Sequence, residues 1–521
     1  MSWSHDIAAA RVKDRSAALK LSDYTVVDLT RERDFYNLGS KEVCRAKGAH
    51  IYADVTNLHR LVNTAGNDKD EQKKIVRAVS VLRRTQGDIL SDYDVPRMQM
   101  QSARLHAMCH KPYDGDNLNN EPKRVECAVK LAITLQSYLY DVFNEVFTDL
   151  SESLRGAVGI DSGRFLIAHI GYRGDRELIS LGDPANIAAK IIGESGTITL
   201  PKRLYDMLPQ CLKDEFAESS VVAGVQTYQA SGLRWKKKPE LAEKLAVKFD
   251  HEKWKKATQD AKDNLPLSAM EVSGVEAKIE LDVLTERNSK RFDAAPFYAD
   301  LDGFTALIQS AKTDDELKAL VRAFDLIRGE FQTVIESDFD GYALQHQGDC
   351  VLGIAYMPAG DIYDSRRRRK GLDIAIGIQS SMEHVLPAYI GRTDIHVAIG
   401  VSAGKVLLTR LGKKGERELI AMSPPVSDSQ RMQEITGGKQ TRISKEVYDA
   451  INDDNIREEF GPDSGSYVAT GLTFPKLDSK ENESEEKAAR AGSLAARVTS
   501  SGTIATVVDT FRPARPYARR D

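Results

Sequence analysis

A chain of 521 residues is longer than one ordinary domain, so two or more domains are expected. Its 41% hydrophobic and 29% charged residues are those of a globular protein, and a net charge of −4 gives no electrostatic case for binding nucleic acid. Five scattered cysteines with no CxxC pair argue against a disulfide framework and a zinc site, and no apolar run reaches the length of a membrane span. The start, Met1-Ser2-Trp3-Ser4-His5-Asp6, has no signal-peptide pattern, so a cytoplasmic protein without a membrane partner is expected.

In chain order, residues 1–47 read as a charged N-terminal segment with helical stretches. A first domain spans 48–210. It opens on the strand Ile51-Tyr52-Ala53-Asp54-Val55, followed by a helix with Ile75, Val76, Val79 and Leu82 at helical spacing. Residues 211–292 are lysine-rich (Trp235-Lys236-Lys237-Lys238-Pro239) and read as a connecting region of helices and loops. A second domain spans 293–476. Its first strand, Pro296 to Ala299, ends on Asp300 and turns at Gly303 into a helix, and Leu317, Leu320, Val321, Phe324 and Ile327 mark a further helix. A turn at Gly348-Asp349 opens the strand Val351–Tyr356, and Val397–Val401 with Val406–Leu411 reads as a hairpin. Residues 477–521 are a charged C-terminal tail.

The two domains are copies. Ile51-Tyr52-Ala53-Asp54-Val55 echoes Phe297-Tyr298-Ala299-Asp300-Leu301 at an offset of 246. At that offset Ala103 falls on Asp349. Val158-Gly159-Ile160-Asp161-Ser162-Gly163 matches Ile399-Gly400-Val401-Ser402-Ala403-Gly404, and Arg176-Glu177-Leu178-Ile179 matches Arg417-Glu418-Leu419-Ile420, both at an offset of 241. Alternating strands and helices in each copy predict an α/β sandwich twice over, an α+β layering with a sheet covered by helices.

Asp300 and Asp349, at the ends of adjacent strands, are suited to a hard divalent cation such as Mg²⁺ or Mn²⁺, which takes oxygen ligands. Backbone N–H groups in the glycine turn after Asp300 are suited to a phosphate chain. Together they suit chemistry on a nucleoside triphosphate. Taken singly, Asp300 also reads as a helix cap, Ile179 as core packing, and the run Arg366 to Lys370 as a solvated face.

These blocks resemble the class III nucleotidyl cyclases, the adenylate and guanylate cyclase catalytic domain. The resemblance rests on Tyr298-Ala299-Asp300-Leu301-Asp302-Gly303-Phe304-Thr305, on Gly348-Asp349, on the hairpin Val158 to Gly163, and on Gly182-Asp183-Pro184-Ala185-Asn186-Ile187-Ala188-Ala189-Lys190. It implies two tandem cyclase-like domains paired head to tail as an intramolecular pseudo-heterodimer, so that a monomer suffices. It implies two divalent ions, Mg²⁺ or Mn²⁺, held by Asp300, Asp349 and the backbone of Leu301. Asp302, Gly303, Phe304 and Thr305 are expected to meet the triphosphate. Asn186 and Lys190 of the first copy are expected to serve catalysis. The family has arginine where Lys190 stands; lysine keeps the charge but loses the bidentate fork. The other half-site, from Asp54, Ala103, Ser427 and Arg431, lacks a metal aspartate and is expected to be degenerate.

The family's base-reading positions fall on Gln99 and Ile179, with Arg97 and Gln101 close in sequence. That pair matches neither purine code, while an amide that donates and accepts suits a pyrimidine edge. The pattern resembles the uridylate and cytidylate cyclases of the Pycsar anti-phage systems, which implies UTP or CTP as substrate, UTP first, and a separate effector that reads the cyclic product. An ordinary adenylate or guanylate cyclase and a non-catalytic nucleotide sensor are the alternatives.

Overall fold

The computed structural model describes residues 3–480, except 32–37, 40, 102, 115–118, 171–176, 276–278, 312, 357–363 and 413–417. Most of the C-terminal tail, 481–521, therefore lies outside the described residues. The first repeat builds one sheet from β1 (Thr25–Asp28), β2 (Glu42–Val55), β3 (Arg97–Gln101), β4 (Arg104–Cys109), β5 (Gly156–Ile170), β6 (Glu177–Leu181), β7 (Thr197–Pro201), β8 (Ala217–Val222) and β9 (Val225–Ser231). Their order is β3-β4-β2-β5-β7-β9-β8, with β1 added to β2 and β6 to β5. The second repeat builds another from β10 (Glu271–Ser273), β11 (Asn288–Asp302), β12 (Tyr342–Gln347), β13 (Cys350–Tyr356), β14 (His396–Val401), β15 (Gly404–Leu411), β16 (Glu418–Met422), β17 (Gln440–Ile443), β18 (Gly461–Asp463) and β19 (Ser466–Thr470). Its order, β12-β13-β11-β14-β17-β19-β18, repeats the first strand for strand, the long β5 being matched by β14 and β15 together.

Local chemistry explains the elements. Residues 294–299 of β11 are all buried, as a strand sandwiched between layers requires. Helix Asp314–Thr333 starts at a capping box between Thr313 and Glu316, and buries Leu317, Leu320, Val321, Phe324 and Ile327 at the spacing the sequence displays. Helix Lys69–Asp92 starts at Asp68, whose carboxylate accepts from the N–H groups of Asp70 and Glu71.

The two sheets do not keep separate cores. Leu407, Leu411, Ile420 and Met422 of the second repeat pack into the core of the first. Leu166, Ala168, Ile179 and Leu181 of the first pack into the core of the second. Each fully buried leucine or isoleucine there contributes about 1.5–3 kcal/mol, so the repeats form one unit.

Each repeat also sends an arm onto the other. The elements His5–Ala18, Leu21–Asp23, β1 and β2 begin at 5, 21, 25 and 42. Their counterparts His251–Asp263, Leu267–Ala269, β10 and β11 begin at 251, 267, 271 and 288, each 246 residues on. Helix His5–Ala18 packs against helices Asp314–Thr333 and Asp364–His384 of the second repeat, while His251–Asp263 packs against Lys69–Asp92 of the first. Trp3 Nε1 donates to Ser381 Oγ at 2.8 Å, and Arg11 pairs with Glu330 at 2.6 Å and Asp338 at 2.7 Å. On the reciprocal side Tyr138 and Thr258 share a hydroxyl bond of 3.1 Å, and Lys262 pairs with Asp149 at 2.9 Å.

Candidate active site

Asp300 lies near the end of β11, and Asp349 lies in the turn just before β13. Antiparallel pairing of Asp300 with Cys350 sets the two carboxylates on neighbouring strand ends. Burial pushes both carboxyls up. Asp300 rises well above its ordinary range, first from lost hydration and then from the charge of Asp349. Asp349 is pushed up to about 6 by burial, offset in part by a backbone hydrogen bond and by Lys190. The positive charge of Lys190, from the first repeat, acts on both carboxylates. Gln433 Nε2 also donates to Asp300 Oδ2 at 3.3 Å.

Gly303 closes the turn after β11 at φ +86°, a conformation glycine adopts without strain. A Cβ there would also stand 3.0 Å from the Asp394 carbonyl. Asp302 is exposed, and its carboxylate accepts from the Gly438 N–H at 3.0 Å. Phe304 and Thr305 begin the next helix; their side chains lie outside the described residues.

From the first repeat, Asn186 and Lys190 sit one turn apart on helix Asp183–Lys190, hence on one face. Ile179 is buried on β6, beside β3, which carries Gln99 and Arg97. Gln99 reaches across the domain boundary, where its amide nitrogen donates to the His346 carbonyl. Gln101 lies at the end of β3, with its side chain outside the described residues.

The residues fit a hard divalent ion. Two carboxylates pushed up by burial, Asp300 further by the charge of Asp349, are a donor set that a dication relieves. Among the described residues no group of three or more His, Cys, Asp or Glu could hold a metal ion, which leaves the Leu301 carbonyl, water and substrate oxygens to join these two carboxylates. That is how a small dication with one or two protein carboxylates is ordinarily held.

The related half-site is built differently. Ala103 is buried where the metal aspartate would be, and the next residue, Arg104, binds Asp54 Oδ2 through Nη2 at 2.8 Å and Nε at 3.1 Å. Ser427 donates to the Ser423 carbonyl at 3.4 Å, and Arg431 is exposed and pairs with Asp428 at 3.3 Å. Sequence reasoning overlooked Arg104 and Gln433. An arginine directly beside the missing aspartate was the available signal for the first; the second had none.

A mixed sheet with paired carboxylates on one repeat, acted on by Lys190 of the other, is the architecture of a class III nucleotidyl cyclase. The family of adenylate and guanylate cyclase catalytic domains matches residues 288–466. A crystal structure of a class III adenylyl cyclase-like ATP-binding protein from Pseudomonas aeruginosa superposes with a TM-score of 0.76 at 27% identity, over 92% of this chain and 99% of that one. The chain belongs to the class III nucleotidyl cyclases and is a nucleotidyl cyclase enzyme.

Within that family it resembles proteins named uridylate cyclase. One from Pseudomonas aeruginosa is 30% identical over 100% of this chain and 98% of its own length. One from a Rhizobium species is 22% identical over 85% and 90%. No helix among the described residues is long and apolar enough to cross a membrane.

Proposed function

We propose that this chain converts a pyrimidine nucleoside triphosphate, UTP foremost, into its 3′,5′-cyclic monophosphate and pyrophosphate at one composite site. The observation that carries the proposal is the action of Lys190, from one repeat, on the carboxylates Asp300 and Asp349 of the other. The pyrimidine assignment is supported by Gln99 and Ile179 on neighbouring strands and by the relatives named uridylate cyclase. Asp300, Asp349 and the Leu301 carbonyl would hold the divalent ions, Mg²⁺ or Mn²⁺. Bound there, such ions supply Lewis acidity toward the ribose 3′-hydroxyl and charge toward the triphosphate.

The remaining work falls to side chains. The ribose 3′-hydroxyl loses its proton to solvent as its oxygen forms a bond to the α-phosphorus, the bond from that phosphorus to the α–β bridging oxygen breaks, and pyrophosphate leaves with the electron pair. Lys190 meets the negative charge that grows on the α-phosphoryl oxygens. Asn186 orients the ribose, so that the 3′-oxygen is held in line for attack. The turn at Gly303 brings backbone close to the β- and γ-phosphates. Gln99 exchanges its bond to the His346 carbonyl for the base edge, against Ile179. By its resemblance to the Pycsar cyclases, the chain makes a signal for a separate effector in defence against phage.

Gln99→Leu is expected to lower kcat/KM for UTP while Gln345→Leu, at the repeated position, leaves the initial rate unchanged. Equal effects would contradict a composite site on this side. An adenine-directed reading is favoured by the ATP-binding name of the Pseudomonas structure, and cyclic AMP as the product would establish it.

A further inference from the structure

The second half-site contains a cavity of about 500 Å³, lined by Asp54, Arg104, Gln345, Ile420, Ser427 and Arg431 among others. Its base-reading positions are the same residue types as in the catalytic half, Gln345 for Gln99 and Ile420 for Ile179, and both are buried. What has changed is everything that handles a metal and a triphosphate. Ala103 removes one carboxylate, and the Arg104 guanidinium covers the other at 2.8 Å. The glycine turn has become Asn57, at φ −111°. The Asn57 side chain accepts from the Arg155 N–H at 2.8 Å and donates to the Ser153 carbonyl at 3.0 Å. Thr56 is tied to Ser195 at 2.7 Å. This turn is thus fixed in another shape and satisfied internally.

Charge narrows the ligand further. Asp54, Asp428 and Glu434 line the cavity against the arginines Arg104 and Arg431. Without a metal, such a wall rejects the four charges of a triphosphate. It can accept one negative charge beside a guanidinium. The cavity lies between the repeats, since helix Leu58–Ala65 of the first faces helix Pro424–Glu434 of the second across it.

We infer that this cavity is a metal-independent binding site for a nucleoside 3′,5′-cyclic monophosphate, its single phosphate held by Arg104 and its base by Gln345 against Ile420. The base is the one the catalytic half reads, and for its identity alone the inference rests on the pyrimidine reading above. The enzyme thereby carries a site for its own class of product.

The test is calorimetry on the full chain in excess EDTA, with cyclic UMP, cyclic AMP, 5′-UMP and UTP as separate probes. One equivalent of cyclic UMP is expected to bind, and to bind equally well to Lys190→Ala. Arg104→Ala is expected to weaken it about ten- to hundredfold, the worth of a charge-assisted hydrogen bond. Gln345→Leu, which leaves the Arg104–Asp54 pair intact, should also weaken it; urea transitions of both variants confirm that each is folded. Cyclic AMP binding with the same dependence on Arg104 and Gln345 would keep the site and overturn its pyrimidine assignment. UTP or 5′-UMP binding as tightly as cyclic UMP would overturn the cyclic-monophosphate assignment. No metal-free binding, or binding lost in Lys190→Ala and kept in Arg104→Ala, would overturn the site while leaving the catalytic reading intact.

Discussion

Arg11→Ala is expected to destabilise the protein by about 3–5 kcal/mol, although Arg11 lies far from the site in sequence. Arg11 bonds Glu330 at 2.8 and 2.6 Å and Asp338 at 2.7 Å on both oxygens, a fork to each carboxylate. The Glu330 side chain is fully buried, with Asp338 10% and Arg11 18% exposed. Ser381 donates to Glu330 at 2.7 Å and accepts from Trp3 at 2.8 Å, so the network pins the arm at two points. Removing the guanidinium strands two carboxylates in a poorly hydrated place, which costs more than the pair itself is worth. Urea denaturation at pH 7, compared at constant m, measures the loss. The triple variant Arg11→Met, Glu330→Gln, Asp338→Asn should recover most of it, because no charge is left unpaired. A loss below about 1 kcal/mol for Arg11→Ala would show that the arm does not depend on this network.

Asp300→Asn or Asp349→Asn should abolish measurable cyclisation in a steady-state assay, whereas Asp54→Asn should leave most of it; the reverse pattern would mean the halves are exchanged. Lys190→Ala should reduce kcat by about 10²–10³, the usual cost of a lost electrostatic contact to a transition state, while Lys190→Arg should keep turnover within a few fold or raise it. Burial pushes the Asp161 carboxyl up to about 7 despite its pairing with Arg203. A folded-state value above the unfolded one means that its stabilising contribution is full below about pH 4 and lost as pH rises through about 7. Asp161→Asn should therefore flatten the fall of stability between pH 4 and 7, read from urea titrations across that range, and an unchanged slope would refute the assignment.

The carboxylates Asp300 and Asp349, the glycine turn and the strand–helix alternation were legible because each is local, and the repeat offset shows the alternation twice. The lost aspartate at Ala103 was legible for the same reason. The exchange of arms was not. Trp3, Arg11 and Lys262 give no hint in sequence that their partners lie in the other repeat, since that choice is made by tertiary packing. The sheet also runs on through β8 and β9, to Ser231, where a lysine-rich stretch follows directly and masks the edge strands. Gln99 stands out in sequence through the family resemblance, but its bond to the His346 carbonyl exists only once the domains meet. Arg104 shows how a half-site with alanine at position 103 satisfies its single carboxylate, Asp54, with a residue close by on the neighbouring strand.

The most direct test of the account offers the enzyme ATP, GTP, CTP and UTP together at equal concentration, with Mn²⁺ and then with Mg²⁺, and resolves the products by mass. Cyclic UMP and pyrophosphate in equal amounts, absent from the Asp349→Asn variant, are the predicted result. Cyclic AMP or cyclic GMP as the main product would contradict the base assignment, and a product made equally well by Asp349→Asn would contradict the composite site itself.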